Sequence, residues 1–106
     1  QADINAALGE MLRVARPGGV AIVIETMGTG SETPAPPAEE LRTLYQHLEE
    51  ELGFSAMAIR TDYRFESLEE AERLARFFFG DELADRVLRE KLLILPECTG
   101  IWWKRI

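Results

Sequence analysis

Apolar side chains recur along this chain first with a helical period, then without a break, and then by alternation. Ile4, Leu8, Met11, Leu12 and Ala15 fall on one stripe of a helix. That helix must stop at Arg16, because Pro17 disfavours helical geometry in the residue before it and Gly18-Gly19 supplies the turn. Val20 to Ile24 is a continuous, mostly β-branched run, the pattern of a strand covered on both faces. A loop rich in glycine and proline, Thr26 to Pro37, leads into a second helix whose stripe is Leu41, Leu44, Tyr45, Leu48 and Leu52. Gly53 suits the position just past its end, with Phe54 folding back on Leu48.

Ser55 to Phe65 alternates, with Met57, Ile59, Tyr63 and Phe65 on one side and Arg60, Asp62 and Arg64 on the other, and predicts one strand with a partly wet face. Ser67 to Glu70 is a capping-box pattern, and Leu68, Ala71, Leu74, Ala75 and Phe78 continue it as a helix up to Gly80. Asp81 is placed to cap a fourth helix, whose face is Leu83, Val87 and Leu88 with Leu92 beyond, ended by Pro96. The last element is an aromatic strand, Thr99 to Ile106, where Ile101-Trp102-Trp103 implies cover on both faces. The order is helix, strand, helix, strand, helix, helix, strand. An interior strand entered from a helix is the second half of a strand-helix-strand crossover, so the fold begins in the middle of such a unit.

Glu10 to Val23, which reads Glu-Met-Leu-Arg-Val-Ala-Arg-Pro-Gly-Gly-Val-Ala-Ile-Val, resembles a segment of class I S-adenosylmethionine-dependent methyltransferases. There a helix ending in an R-x-L-(K/R)-P-G-G turn feeds the fifth strand; here Ala15 stands at the leucine position. The rest of the chain is similar to that family's tail, with a sixth strand at Ser55 to Phe65 and a seventh at Thr99 to Ile106. The resemblance implies an α/β fold, the C-terminal half of a Rossmann-like methyltransferase sheet, with the seventh strand antiparallel between the fifth and the sixth. Residues 1–106 would then be one partial domain, with 66–97 as a helical insertion that serves as a substrate lid or a packing element. It also implies S-adenosylmethionine as cofactor of a longer parent enzyme and a small-molecule methyl acceptor. The family's cofactor-binding turns do not occur in this chain, which is therefore expected neither to bind the cofactor nor to be active alone.

Composition narrows the partners. The chain has 106 residues with a formal charge of −7, so nucleic acid is disfavoured electrostatically. Its apolar runs fall far short of the ~20 residues that a membrane-spanning helix needs, which suggests a cytoplasmic protein. Gly28-Thr29-Gly30 precedes prolines rather than a helix, and so reads as a flexible loop instead of a phosphate-binding turn.

No residue stands out as catalytic. His47 sits among Glu49, Glu50 and Glu51 on a solvated face, adjacent carboxylates point about 100° apart on a helix, and Cys98 lacks a histidine or cysteine at metal-ligand spacing. Phe77-Phe78-Phe79 and Trp102-Trp103 read as core. Glu25 and Thr26, at the C-terminal end of an interior strand, are the best substrate-facing candidates, and Tyr45 and Phe78 complete the set. Two functions compete: the substrate-side half of a methyltransferase, or a self-sufficient interaction module. On its own the chain is expected to hide an uncovered strand edge along Val20 to Glu25 against a second copy, by two-fold pairing of that edge or by exchange of an N-terminal or C-terminal element, the first being favoured.

Overall fold

Pro17, Gly18 and Gly19 tie the two ends of the chain together. In the computed structural model, which describes residues 2–106 with side chains from Ile4 onward, helix α1 (Ala2–Val14) ends just before this turn. The Arg16 carbonyl accepts the Gly19 N–H at 2.9 Å, and Gly18 adopts φ +89°, where a side chain would be strained. Gly18 N–H also donates to the carbonyl of Ile106, whose own N–H returns to Gly19, both at 2.9 Å. The turn that launches strand β1 (Val20–Thr29) thus also anchors the end of strand β5 (Glu97–Arg105).

The main sheet has the order β1-β5-β2, with β2 at Ser55–Arg60. Both pairings are antiparallel, Val20 facing Arg105 and Ser55 facing Trp103, so β1 and β2 run parallel to each other with the last strand inserted between them. This is the order and direction expected from the sequence. Strand β1 runs four residues past Glu25, to Thr29; the register slips between Thr26 and Thr29, where Gly28 takes φ +126°. The loop is therefore shorter than Thr26 to Pro37 suggests.

One face of the sheet is packed and the other is bare. Ala21, Trp102, Leu8, Leu44, Tyr45, Leu48 and Phe54 form a core under α1 and helix α2 (Glu39–Gln46), which runs on as five residues of π-helix, His47–Glu51. Gly53 follows at φ +74°, and Phe54 N–H donates to the Leu48 carbonyl at 2.8 Å, as the sequence indicates. On the opposite face Ile22 and Ile24 are 55% and 64% exposed, beside exposed Val20, Met57 and Ile59. Ile101 and Trp103, which face Ile24 and Ile22, are half-buried. The expectation that Val20 to Ile24 and Ile101 to Trp103 are covered on both faces is corrected: among the described residues none supplies the second layer that these apolar runs call for.

Ser55 to Phe65 is not one strand. Strand β2 ends at Arg60, which forms a bidentate pair with Asp62, at 2.9 and 2.8 Å, where the chain leaves the sheet. Tyr63–Arg64 (β3) then pairs with Ile94–Leu95 (β4) in a separate two-stranded ribbon. Between these short strands lie α3 (Leu68–Phe79) and α4 (Asp81–Glu90), joined by Gly80.

Ser67 Oγ accepts the Glu70 N–H at 3.1 Å, as a capping box requires, but the Glu70 carboxylate reaches Glu66 N–H rather than that of Ser67. Asp81 does not cap α4; it is the first helical residue and accepts a bond from Arg76 at 2.9 Å. Helix α4 ends at Glu90, before Leu92, with Lys91 left-handed at φ 54°. Leu92 N–H bonds to Val87 O and Lys91 N–H to Leu88 O, a Schellman motif without glycine.

The helical pair has its own core, Ala71, Ala75, Ala84, Val87 and Leu95, in which small residues let the two helices approach closely. Leu88 and all three of Phe77, Phe78 and Phe79 are exposed, against the expectation that they are core. With two separate cores the molecule is elongated, 49 × 25 × 21 Å.

Candidate functional site

The C-terminal ends of β1 and β2 lie side by side across the start of β5, and polar groups collect there. Strand alternation sends Glu25 to the helix-covered side and Thr26 to the other. Tyr45, buried and stacked on Trp102 with ring centroids 4.3 Å apart, donates its hydroxyl to the Thr26 carbonyl. Burial pushes the Tyr45 phenol up to about 12, and the nearby Glu25 carboxylate adds to the shift. The structure therefore brings Glu25, Thr26 and Tyr45 together. Phe78 lies elsewhere, in a cavity between β3 and α3.

Thr26 Oγ1 donates to Glu97 Oε2 and accepts the Gly28 N–H, each at 3.2 Å, so both of its roles are taken within the chain. Glu97 is only 6% exposed, and its Oε1 has no hydrogen-bond partner. Its own N–H donates to Asp62 at 3.0 Å. The Arg60 guanidinium holds the Asp62 carboxyl below the usual carboxylate range, with help from that N–H. Tyr63, pushed above its ordinary value by burial and by Glu97, closes the group.

Sequence reading missed Glu97, Asp62 and Arg60. Asp62 between two arginines looks like a wet strand face, and only the isolated acid within the apolar stretch from Leu92 to Trp103 marks Glu97 as unusual. The group's hydrogen bonds are largely spent inside the chain: Tyr45 stays protonated near neutral pH, and its proton already serves the Thr26 carbonyl. His47 pairs with Glu51 on the surface of the π-helical turn, and Cys98 is buried with its thiol donating to Ser31 O at 3.4 Å.

The loop after β1 is held rather than free. Gly30 N–H bonds to Pro96 O, and Arg86 Nη1 donates to Gly30 O, both at 2.7 Å, while Ala35 N–H bonds to Met27 O at 2.9 Å. Because Gly28 and Gly30 spend their N–H groups inside the chain, they do not fit the carboxylate or ribose of S-adenosylmethionine. Among the described residues no group of three or more His, Cys, Asp or Glu side chains could hold a metal ion. Likewise no helix among them is long and apolar enough to cross a membrane. The chain matches no family model, no curated protein and no solved structure.

Proposed function

We propose that this chain is the substrate-side, C-terminal portion of an S-adenosylmethionine-dependent methyltransferase that acts on a small-molecule acceptor, with the cofactor held by residues outside 1–106. The observation that carries the reading is the insertion of antiparallel β5 between parallel β1 and β2, launched from the Arg-Pro-Gly-Gly turn. The bare apolar face and the free edge of β1 support it, because both suit a sheet that continues into further layers and strands. The positions of Glu25 and Thr26 towards the C-terminal end of β1 suit the reading, since open α/β sheets take their ligands outside the carboxyl ends of parallel strands.

Sequencing upstream of the codon for Gln1, followed by ultraviolet cross-linking of methyl-labelled S-adenosylmethionine to the full product, tests the reading. A glycine-rich turn after a first strand, and label incorporated upstream of Gln1, are expected. A start codon immediately ahead of Gln1 contradicts it.

The same bare surface favours a second reading, a self-associating module whose β1 edges pair across a two-fold axis. Light scattering over a dilution series tests it: a monomer throughout removes this module, whereas a dimer is compatible with both readings and leaves the start-codon test to decide between them.

A further inference from the structure

The recess between β3 and the last turns of α3 differs in character from the other hollows of the surface. It has a volume of about 250 Å³ and is lined by Tyr63, Phe65, Leu74, Phe78 and Phe79. The remaining recesses are bordered by charged side chains, such as Glu69, Glu72, Arg73 and Arg76 along α3. An apolar cavity of about 150 Å³ suffices for one benzene ring, so this one has room for a single ring or a small fused pair.

Its walls are largely rings. Tyr63 lies 6.5 Å from Phe65 at 19° and 5.7 Å from Phe79 at 52°, while Phe78 is 6.3 Å from Phe79 at 49°. Such tilts offer both faces and edges to a guest ring. Phe77, standing edge-on to Phe78 at 4.8 Å and 89°, props that ring from outside. No lining side chain carries a formal charge to pair with an ionic guest, whereas the ring faces and edges suit an uncharged aromatic ring. Phe78 remains 66% exposed in the absence of a guest, although its neighbours are already arranged around the space that it borders.

We propose that this cavity is a binding site for a small, uncharged aromatic molecule or for the aromatic end of a larger one. The site is built from β3, the residues after it and α3, and it needs neither the cofactor nor methyl transfer, so its failure and that of the methyltransferase reading are distinguishable.

Titration of the chain with indole, followed by NMR, is the test. Saturable shifts confined to Tyr63, Phe65, Leu74, Phe78 and Phe79 are expected, with a Kd of about 1 mM or tighter, as suits a fragment of that size. Phe78→Ala, at an exposed position that folding does not depend on, should weaken binding at least fivefold. Leu74→Phe, which fills the space, should abolish it, whereas Met57→Ala on the bare sheet face should leave the Kd unchanged. Shifts that rise without saturation, or an equal loss in Met57→Ala and Phe78→Ala, would overturn the site as mere apolar adhesion. Broadening of Phe78 with protein concentration in the absence of indole would overturn it in favour of a second copy of the chain as the occupant.

Discussion

The indole of Trp102 lies back over Gly100, two residues earlier on the same face of β5. A Cβ on Gly100 would fall 2.4 Å from Trp102 Cη2, 2.6 Å from Cζ3 and 2.8 Å from Met27 Cγ. The ring cannot move aside readily, because Tyr45 stacks on it and its Nε1 donates to Glu49 at 2.9 Å. Glycine is needed here for space, not for φ. Gly100→Ala should therefore destabilise the fold by about 1–3 kcal/mol, as forced overpacking does. Urea denaturation measures it, and an unchanged midpoint would mean that the ring has another place to go.

Tyr45 makes stability pH-dependent at the alkaline end. Its phenol ionises near pH 10 in the unfolded chain, whereas burial and Glu25 raise it to about 12 in the folded one. Between those values the unfolded state has lost a proton that the folded state keeps. The contribution is thus complete below pH 10 and is lost as pH rises towards 12. Tyr45→Phe should flatten this decline relative to the parent protein, at a cost of about 1 kcal/mol at neutral pH for the lost bond to the Thr26 carbonyl. Denaturation curves at pH 8 and pH 11 for both proteins check the difference.

Lys91 holds a left-handed conformation that costs an L side chain about 1 kcal/mol and costs glycine almost nothing. Lys91→Gly should raise the stability of the helical pair by up to that amount. Hydrogen exchange of the α4 amides reads the change locally, and faster exchange in the variant would contradict the Schellman assignment.

Ile24 points away from the packed core. Ile24→Lys should change the stability of residues 1–106 by no more than about 0.5 kcal/mol, as exposed substitutions generally do. If the face is a packing surface for further chain, the same change in the longer protein should cost several-fold more. Equal effects in the two contexts would mean that nothing packs there.

The strands themselves were legible as apolar runs, from the Arg16-Pro17-Gly18-Gly19 stop and Val20 to the aromatic β5. Their order was not: the place of the last strand between the other two was expected only from the resemblance, and the structure has that order. The break after Arg60 was not legible, since alternation continues through Tyr63 and Phe65 while Asp62 accepts from both the Arg60 guanidinium and the Glu97 N–H. Continuous apolar runs report the need for cover, not who supplies it, and so Ile22 and Ile24 look interior in sequence yet stand exposed. Phe77 to Phe79 misled for the same reason: hydrophobicity alone cannot separate a core ring from the wall of a cavity. Of the residues named as substrate-facing candidates, Glu25, Thr26 and Tyr45 lie near one another because α2 packs on the face of β1, whereas Phe78 stands exposed at the recess beside β3. Glu97 escaped notice because its importance lies in burial, which one acidic letter does not announce.

Calorimetric titration of S-adenosylmethionine into the polypeptide translated from the complete reading frame that contains residues 1–106, with the isolated 106-residue chain as control, tests the proposed methyltransferase function most directly. Saturable one-to-one binding in the micromolar range by the longer protein, and none by the control, is the predicted result. No saturable binding by the longer protein, or micromolar binding by residues 1–106 alone, would contradict it.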